Sequence, residues 1–177
     1  MPSIESALVV LVPEAEALVK PFRDRYDPSA ALGVPAHITL LYPFKPPDEI
    51  GSAVLDKLRQ GLASCAPFRF TLASIRRFPA EGLYLAPEPD EPFRRLTLAI
   101  WDWYPETPPY GGKWPDIVPH LSVASLADEL RLDRVADEFA QASRGILPIR
   151  ATAAEVALMD NRSGRWQVRT IFSLGEM

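Results

Sequence analysis

The order strand, helix, strand, helix, strand can be read twice along these 177 residues, and that repetition restricts the fold more than any other feature. The apolar, β-branched run Ala7–Val12 predicts a buried strand ended by Pro13. Leu18, Val19, Phe22 and Tyr26 fall at helical spacing over 14–26, and His37–Tyr42 is a second short strand. Ile50, Val54, Leu58 and Leu62 recur every four residues as a helix stripe, and Phe68–Ile75 alternates as a half-buried strand. The second unit runs from a strand at Gly82–Ala86 through a helix carrying Phe93, Leu96 and Ile100. A strand at Pro119–Val123, a helix over 128–142 and a strand at Ile149–Met159 complete it. Arg165–Leu174 then returns as a hairpin partner across Asn161–Gly164. The chain is therefore expected to be a single α+β domain. Its duplication spans roughly 6–78 and 82–159, with a closing strand at 165–174 and two lobes facing each other across a pseudo-two-fold axis.

The chain holds only two histidines, and each begins the same tetrapeptide, His-x-hydroxyl-aliphatic. They are His37-Ile38-Thr39-Leu40 and His120-Leu121-Ser122-Val123, at matching places in the two units. Chance alone puts a hydroxyl two residues after both histidines roughly one time in a hundred. In a strand, residues i and i+2 share a face, so each motif presents an imidazole and a hydroxyl about 7 Å apart. A single such pair is ordinarily a hydrogen-bonded feature of a sheet, but two in equivalent positions are costly unless they are used. Two imidazoles can hold opposite protonation states near neutrality, one taking a proton while the other gives one. Two hydroxyls can donate to phosphoryl oxygens that gain charge in an in-line displacement. No spacing of metal ligands accompanies them, so neither a metal nor another cofactor is expected.

The chain resembles the 2H phosphoesterase superfamily, specifically its bacterial 2′-5′ RNA ligase-like and RNA 2′,3′-cyclic phosphodiesterase members. The resemblance is carried by Pro35–Phe44, by Tyr110-Gly111-Gly112-Lys113-Trp114 with Val118–Val123, and more loosely by Phe68–Pro87. It implies a bilobal α+β fold of two similar sheets with a catalytic cleft between them. It also implies metal-independent opening of a 2′,3′-cyclic phosphate to a 2′-phosphate, on RNA ends or small cyclic nucleotides. In that analogy His120 activates water, His37 protonates the leaving 3′ oxygen, and Thr39 and Ser122 hold the phosphoryl group.

Other residues are weaker candidates for contact with substrate. Tyr42, Phe44 and Trp114 could stack on a base, although strict alternation from His37 turns Tyr42 to the other face. Arg76 could meet a phosphate; Arg77, Arg162 and Arg165 carry the same possibility against the plainer reading of a solvated surface. With 19 Lys plus Arg against 23 Asp plus Glu, the net charge of −4 excludes a broad electrostatic footprint on nucleic acid. Recognition of RNA would then be confined to the cleft. The single cysteine, Cys65, excludes an internal disulfide. With no leader-like or membrane-spanning run, the expectation is a cytoplasmic monomer with no membrane association and no obligate protein partner. Two alternatives stay open: ligation through the same groups in reverse, and a non-catalytic nucleotide- or RNA-binding module on the same fold.

Overall fold

The computed structural model describes residues 3–175. Strand β1 (Ser6–Leu11) leads into α1 (Pro13–Tyr26), the short α2 (Pro28–Ala31) and β2 (His37–Leu41). Helix α3 (Ser52–Ala63) is followed by the long hairpin of β3 (Phe68–Phe78) and β4 (Gly82–Glu88). Next come α4 (Glu91–Trp103), β5 (Leu121–Ser125), α5 (Glu129–Ala142), β6 (Ile149–Ala153), β7 (Glu155–Asp160) and β8 (Gln167–Ser173). In chain order the principal elements run β1-α1-β2-α3-β3 and then β4-α4-β5-α5-β6-β7-β8.

The eight strands form one antiparallel sheet in the order β6-β3-β4-β5-β2-β1-β7-β8. Two four-stranded halves meet at its centre, where β2 and β5 share the single pair Ile38↔Leu121. Each half draws on both sequence units. Strand β3 pairs with β4 and β6 of the second unit, while β7 crosses back to pair with β1. The expected strand Ile149–Met159 is accordingly two strands that part at Ala154 and lie in opposite halves. Its apolar pattern runs on without a turn residue, so the sequence shows no sign of the change of partner.

One large core lies between the sheet and the helices. Leu8 and Val10 of β1, Leu58 and Leu62 of α3, Phe93 and Ile100 of α4, and Leu132 and Phe139 of α5 are almost wholly buried in it. The opposite sheet face carries a second, smaller cluster of Ala7, Val9, Val34, Ala157 and Met159, with Tyr42 and Trp166 against it. Strand β1 is apolar on both faces because both are covered, which is why its sequence does not alternate.

The approach to His37 is clamped from α1. Ala36 accepts from Val12 N–H (2.9 Å), and its own N–H donates to Glu16 Oε2 (2.6 Å). Below the same loop lies Arg23, fully buried, whose Nε donates to Asp27 Oδ2 (2.9 Å) and whose Nη2 donates to Ser29 Oγ (3.1 Å). Asp27 in turn caps α2 through Ser29 N–H. Removing one partner of such a pair leaves an uncompensated buried charge. Arg23→Met is therefore expected to lower unfolding free energy by about 3 kcal/mol or more. Urea denaturation checks this, and an unchanged midpoint would contradict it.

Candidate active site

Each histidine motif lies on the sheet face that points away from the helices. With Ile38 opposite Leu121, antiparallel geometry turns His37 toward Ser122 and Thr39 toward His120. The two imidazoles and two hydroxyls therefore form a four-cornered group, while Ile38 and Leu121 are buried in the core behind it.

Both motifs end in the same irregularity. Val9 pairs with Thr39 but Leu8 with Leu41, so Leu40 is an extra residue in β2. Tyr84 pairs with Ser122 but Leu83 with Ala124, so Val123 is the extra residue in β5. Each bulge sends two successive apolar residues into the core and resets the alternation after the hydroxyl. This corrects the expectation for Tyr42, which lies on the site face beside His37 and Thr39. At the second bulge β4 comes so close to β5 that a Cβ at Gly82 would sit 2.5 Å from the Ala124 carbonyl oxygen, leaving room only for glycine.

The imidazoles are held alike. Nδ1 of His37 lies 2.7 Å from the Pro35 carbonyl oxygen, and Nδ1 of His120 lies 2.7 Å from that of Val118. A carbonyl only accepts, so Nδ1 carries the proton in both rings and Nε2 is left with its lone pair toward the site. Burial pushes the His37 pKa down to about 4; the charges of Arg23 and His120 act in the same direction, against the Pro35 hydrogen bond and Asp27. His120 is also lowered by burial, opposed by its bond to Val118. Both rings are therefore neutral at pH 7.

A chamber flanks each motif. The one beside His120 has a volume of about 410 Å³ and is walled by Phe78, Tyr84, Tyr110, Trp114, Asp116 and Ser122. Phe78 and Tyr84 stack at 4.4 Å and present to His120 at 5.1 and 5.6 Å, boxing the imidazole. The one beside His37, about 490 Å³, is walled by Val9, Thr39, Tyr42, Met159, Trp166 and Glu5. Tyr42 donates its hydroxyl to Glu5 Oε2 (2.5 Å) and packs edge-on against Trp166 at 6.1 Å. Among the described residues, no Lys or Arg lines either chamber. Among the described residues no three His, Cys, Asp or Glu side chains come together to hold a metal ion. No helix among them is long and apolar enough to cross a membrane.

The structure thus brings His37, Thr39, His120, Ser122, Tyr42 and Trp114 to one face. Phe44 is not with them. It is 5% exposed, packed edge-on against Tyr104 at 5.3 Å in the main core, because its N–H donates to Ser6 and carries the chain back over β1. Arg76 pairs across the ladder with Tyr84, so it shares the site face but stands outside the chamber wall, exposed and without an ion pair among the described residues. Arg77 points to α5 and pairs with Asp133 at 2.6 Å. Arg162 binds the buried Asp160 at 2.6 Å, and Arg165 donates to the Ala31 carbonyl. Sequence reasoning overlooked Phe78, Tyr84, Tyr110 and Trp166. Their signal was aromatic character, which core residues share, and for Phe78, Tyr84 and Tyr110 a place in the segments that carry the family resemblance.

The family model described as the 2′-5′ RNA ligase superfamily matches residues 11–165. A protein of Bacillus pumilus (strain SAFR-032), whose name provisionally assigns it as a phosphoesterase, is 29% identical over 180 residues, covering 95% of this chain and 96% of its own. A similarly named Bacillus licheniformis protein is 28% identical, covering 94% and 97%. A crystal structure of a Thermus thermophilus protein superposes with a TM-score of 0.60 at 19% identity, over 98% of this chain and 100% of that one. Escherichia coli LigT complexed with 3′-AMP gives 0.59 at 16%, over 98% and 99%. At these identities the structural likeness concerns the fold.

The lowered imidazoles set a pH dependence. The unfolded chain accepts a proton near 6.5 that folded His37 refuses until about 4, so stability is complete above 6.5 and declines as pH falls toward 4. Nitrogen-15 NMR of the imidazoles in the ligand-free protein is expected to show His37 titrating near 4 and His120 below 6.5. Midpoints at 6.5 for both rings would refute this environment.

Proposed function

The chain belongs to the 2′-5′ RNA ligase superfamily, and we propose that it hydrolyses a 2′,3′-cyclic phosphate, on an RNA end or a small nucleotide, to a 2′-phosphate. The observation that carries this reading is the Ile38↔Leu121 pair, which sets two identically held imidazoles and two hydroxyls side by side on one face of the sheet. Water attacks phosphorus opposite the 3′ oxygen. One Nε2 takes the water proton as the new P–O bond forms, and the other imidazole, protonated, gives its proton to the 3′ oxygen as the P–O3′ bond breaks. The products are a 2′-phosphomonoester and a free 3′-hydroxyl. Following the family resemblance, His120 is the base and His37 the acid.

Thr39 and Ser122 donate to the non-bridging oxygens, where charge increases in the transition state. The scheme balances without a metal. Because the chamber walls supply no Lys or Arg, the phosphate charge is met by imidazolium, hydroxyls and, at the rim, Arg76. Binding of the anionic substrate favours protonation of the acid, which the empty site resists. The aromatic walls of Phe78, Tyr84 and Trp114 suit a nucleobase. That the structural neighbour LigT has been crystallised with 3′-AMP and with NADP+ is in keeping with a nucleotide ligand.

Replacing His37 or His120 with Ala is expected to reduce turnover of 2′,3′-cyclic nucleotides at least about a hundredfold, the scale of a lost general acid or base. Steady-state kinetics with product identification checks it, and unchanged turnover in both variants would sink the reading. In the parent enzyme, the optimum of kcat/KM is expected below pH 6.5, because this ratio reports the free protein's lowered imidazoles; that of kcat is expected at higher pH. Coincident optima near 7 would count against this.

A further inference from the structure

The residue before β1 continues that strand's alternation, so Glu5, Ala7 and Val9 share the site face. Val9 is paired with Thr39, which puts Glu5 about 13 Å further along, at the far end of the chamber beside His37. Val34 and Met159 floor this chamber with Val9, and Tyr42 and Trp166 flank it. Glu5 is the one carboxylate among the described residues that line it. It is held at three points. Its Oε1 accepts from Ser3 Oγ (2.9 Å), its Oε2 accepts from the Tyr42 hydroxyl (2.5 Å), and its N–H donates to Asn161 Oδ1 (2.7 Å). Burial, reinforced by the bond to Glu5, pushes the Tyr42 phenol up to about 12, so the phenol remains the donor. A carboxylate oxygen accepts two hydrogen bonds, so each oxygen of Glu5 keeps one acceptor position for a ligand.

We propose that the chamber beside His37 takes a guanine and that Glu5 is its specificity-determining residue. The inference rests on the cyclic-phosphate reading. There, His37 protonates the sugar's own 3′ oxygen, so the nucleoside bearing the cyclic phosphate lies on the His37 side of phosphorus. The water lies opposite, on the side of His120. The span from Thr39 to Glu5 is on the scale of a nucleoside from its phosphate to the outer edge of its base. An apolar floor flanked by aromatic rings accepts the flat face of any base, and the edge is read at the far end. A carboxylate accepts and does not donate. Guanine offers it two adjacent donors, N1–H and the N2 amine. Adenine and cytosine each set an acceptor beside their amine, and uracil flanks its single N–H with two carbonyls. The chamber beside His120 is left to the water and, on a longer RNA end, to a neighbouring base.

Steady-state hydrolysis of guanosine, inosine and adenosine 2′,3′-cyclic phosphates by the parent and by Glu5→Gln tests this. The parent is expected to prefer guanosine to adenosine about tenfold in kcat/KM, the scale of one bidentate contact to a base. Inosine, which keeps N1–H and lacks the amine, should fall between them. In Glu5→Gln the new amide nitrogen faces guanine's own donors, and the guanosine value should fall to that of adenosine, with the thermal midpoint near the parent's. Equal kcat/KM for the three substrates in the parent overturns the proposal, whether or not the variant folds. So does a loss in Glu5→Gln that is shared equally by all three, which would make Glu5 only a staple for the segment before β1. If the parent turns over none of them, the activity reading fails by itself. Calorimetric affinities for guanosine and adenosine 2′-monophosphates then decide this one. Tighter binding of the guanosine form, lost in Glu5→Gln, upholds it, and equal affinities overturn it.

Discussion

Everything at the site depends on one residue pair, Ile38 against Leu121, where the two halves of the sheet touch. A longer ladder would zip the halves into a flat sheet and leave the motifs side by side on an open surface. With only a single pair, the motifs stay in register, yet the strands are free to diverge on both sides into the chambers beside His120 and His37. Behind the pair, Ile38 and Leu121 are wholly buried under the helices, so the seam is held by hydrophobic packing and very few sheet hydrogen bonds. The site can therefore be polar on one face because the residues between its members are anchored on the other.

The electrostatics follow from that placement. A seam roofed by aromatic side chains and floored by apolar ones is a poor solvent for charge, and both imidazoles are pushed toward neutrality. Two fixed cations in such a position would repel each other and bind phosphate indiscriminately. Two neutral rings with their Nδ1 protons committed to carbonyls leave both Nε2 atoms available. On the proposed reading, an acidic chain would serve an anionic substrate in this way because the charge that matters is created locally.

Much of the architecture was legible beforehand because it is written in local periodicity. Helices α1, α3, α4 and α5 carry regular apolar stripes, and β3 and β4 flank a recognisable turn. The matched tetrapeptides exposed His37, Thr39, His120 and Ser122 because a period of two forces i and i+2 onto one face. What escaped depends on departures from that period or on partners distant in sequence. Strict alternation counted against Tyr42 because the bulge at Leu40 shifts the period by one, and nothing in the two leucines announces a bulge. Phe44 follows a similar aromatic pattern but is drawn into the core by a backbone bond to Ser6. The partition at Ala154 was invisible because the apolar pattern runs through it without a turn residue.

By itself, then, the sequence determined most of the elements and the four polar groups of the two motifs, since each is a property of neighbouring residues. The tertiary structure decided how the units interleave, that His37 faces Ser122 and Thr39 faces His120, and that Tyr110 of one unit bonds the backbone of Tyr42 in the other. Those outcomes turn on strand partners and loop closures between residues far apart in the chain. The balance of packing among them is a property of the whole fold, and no local pattern encodes it.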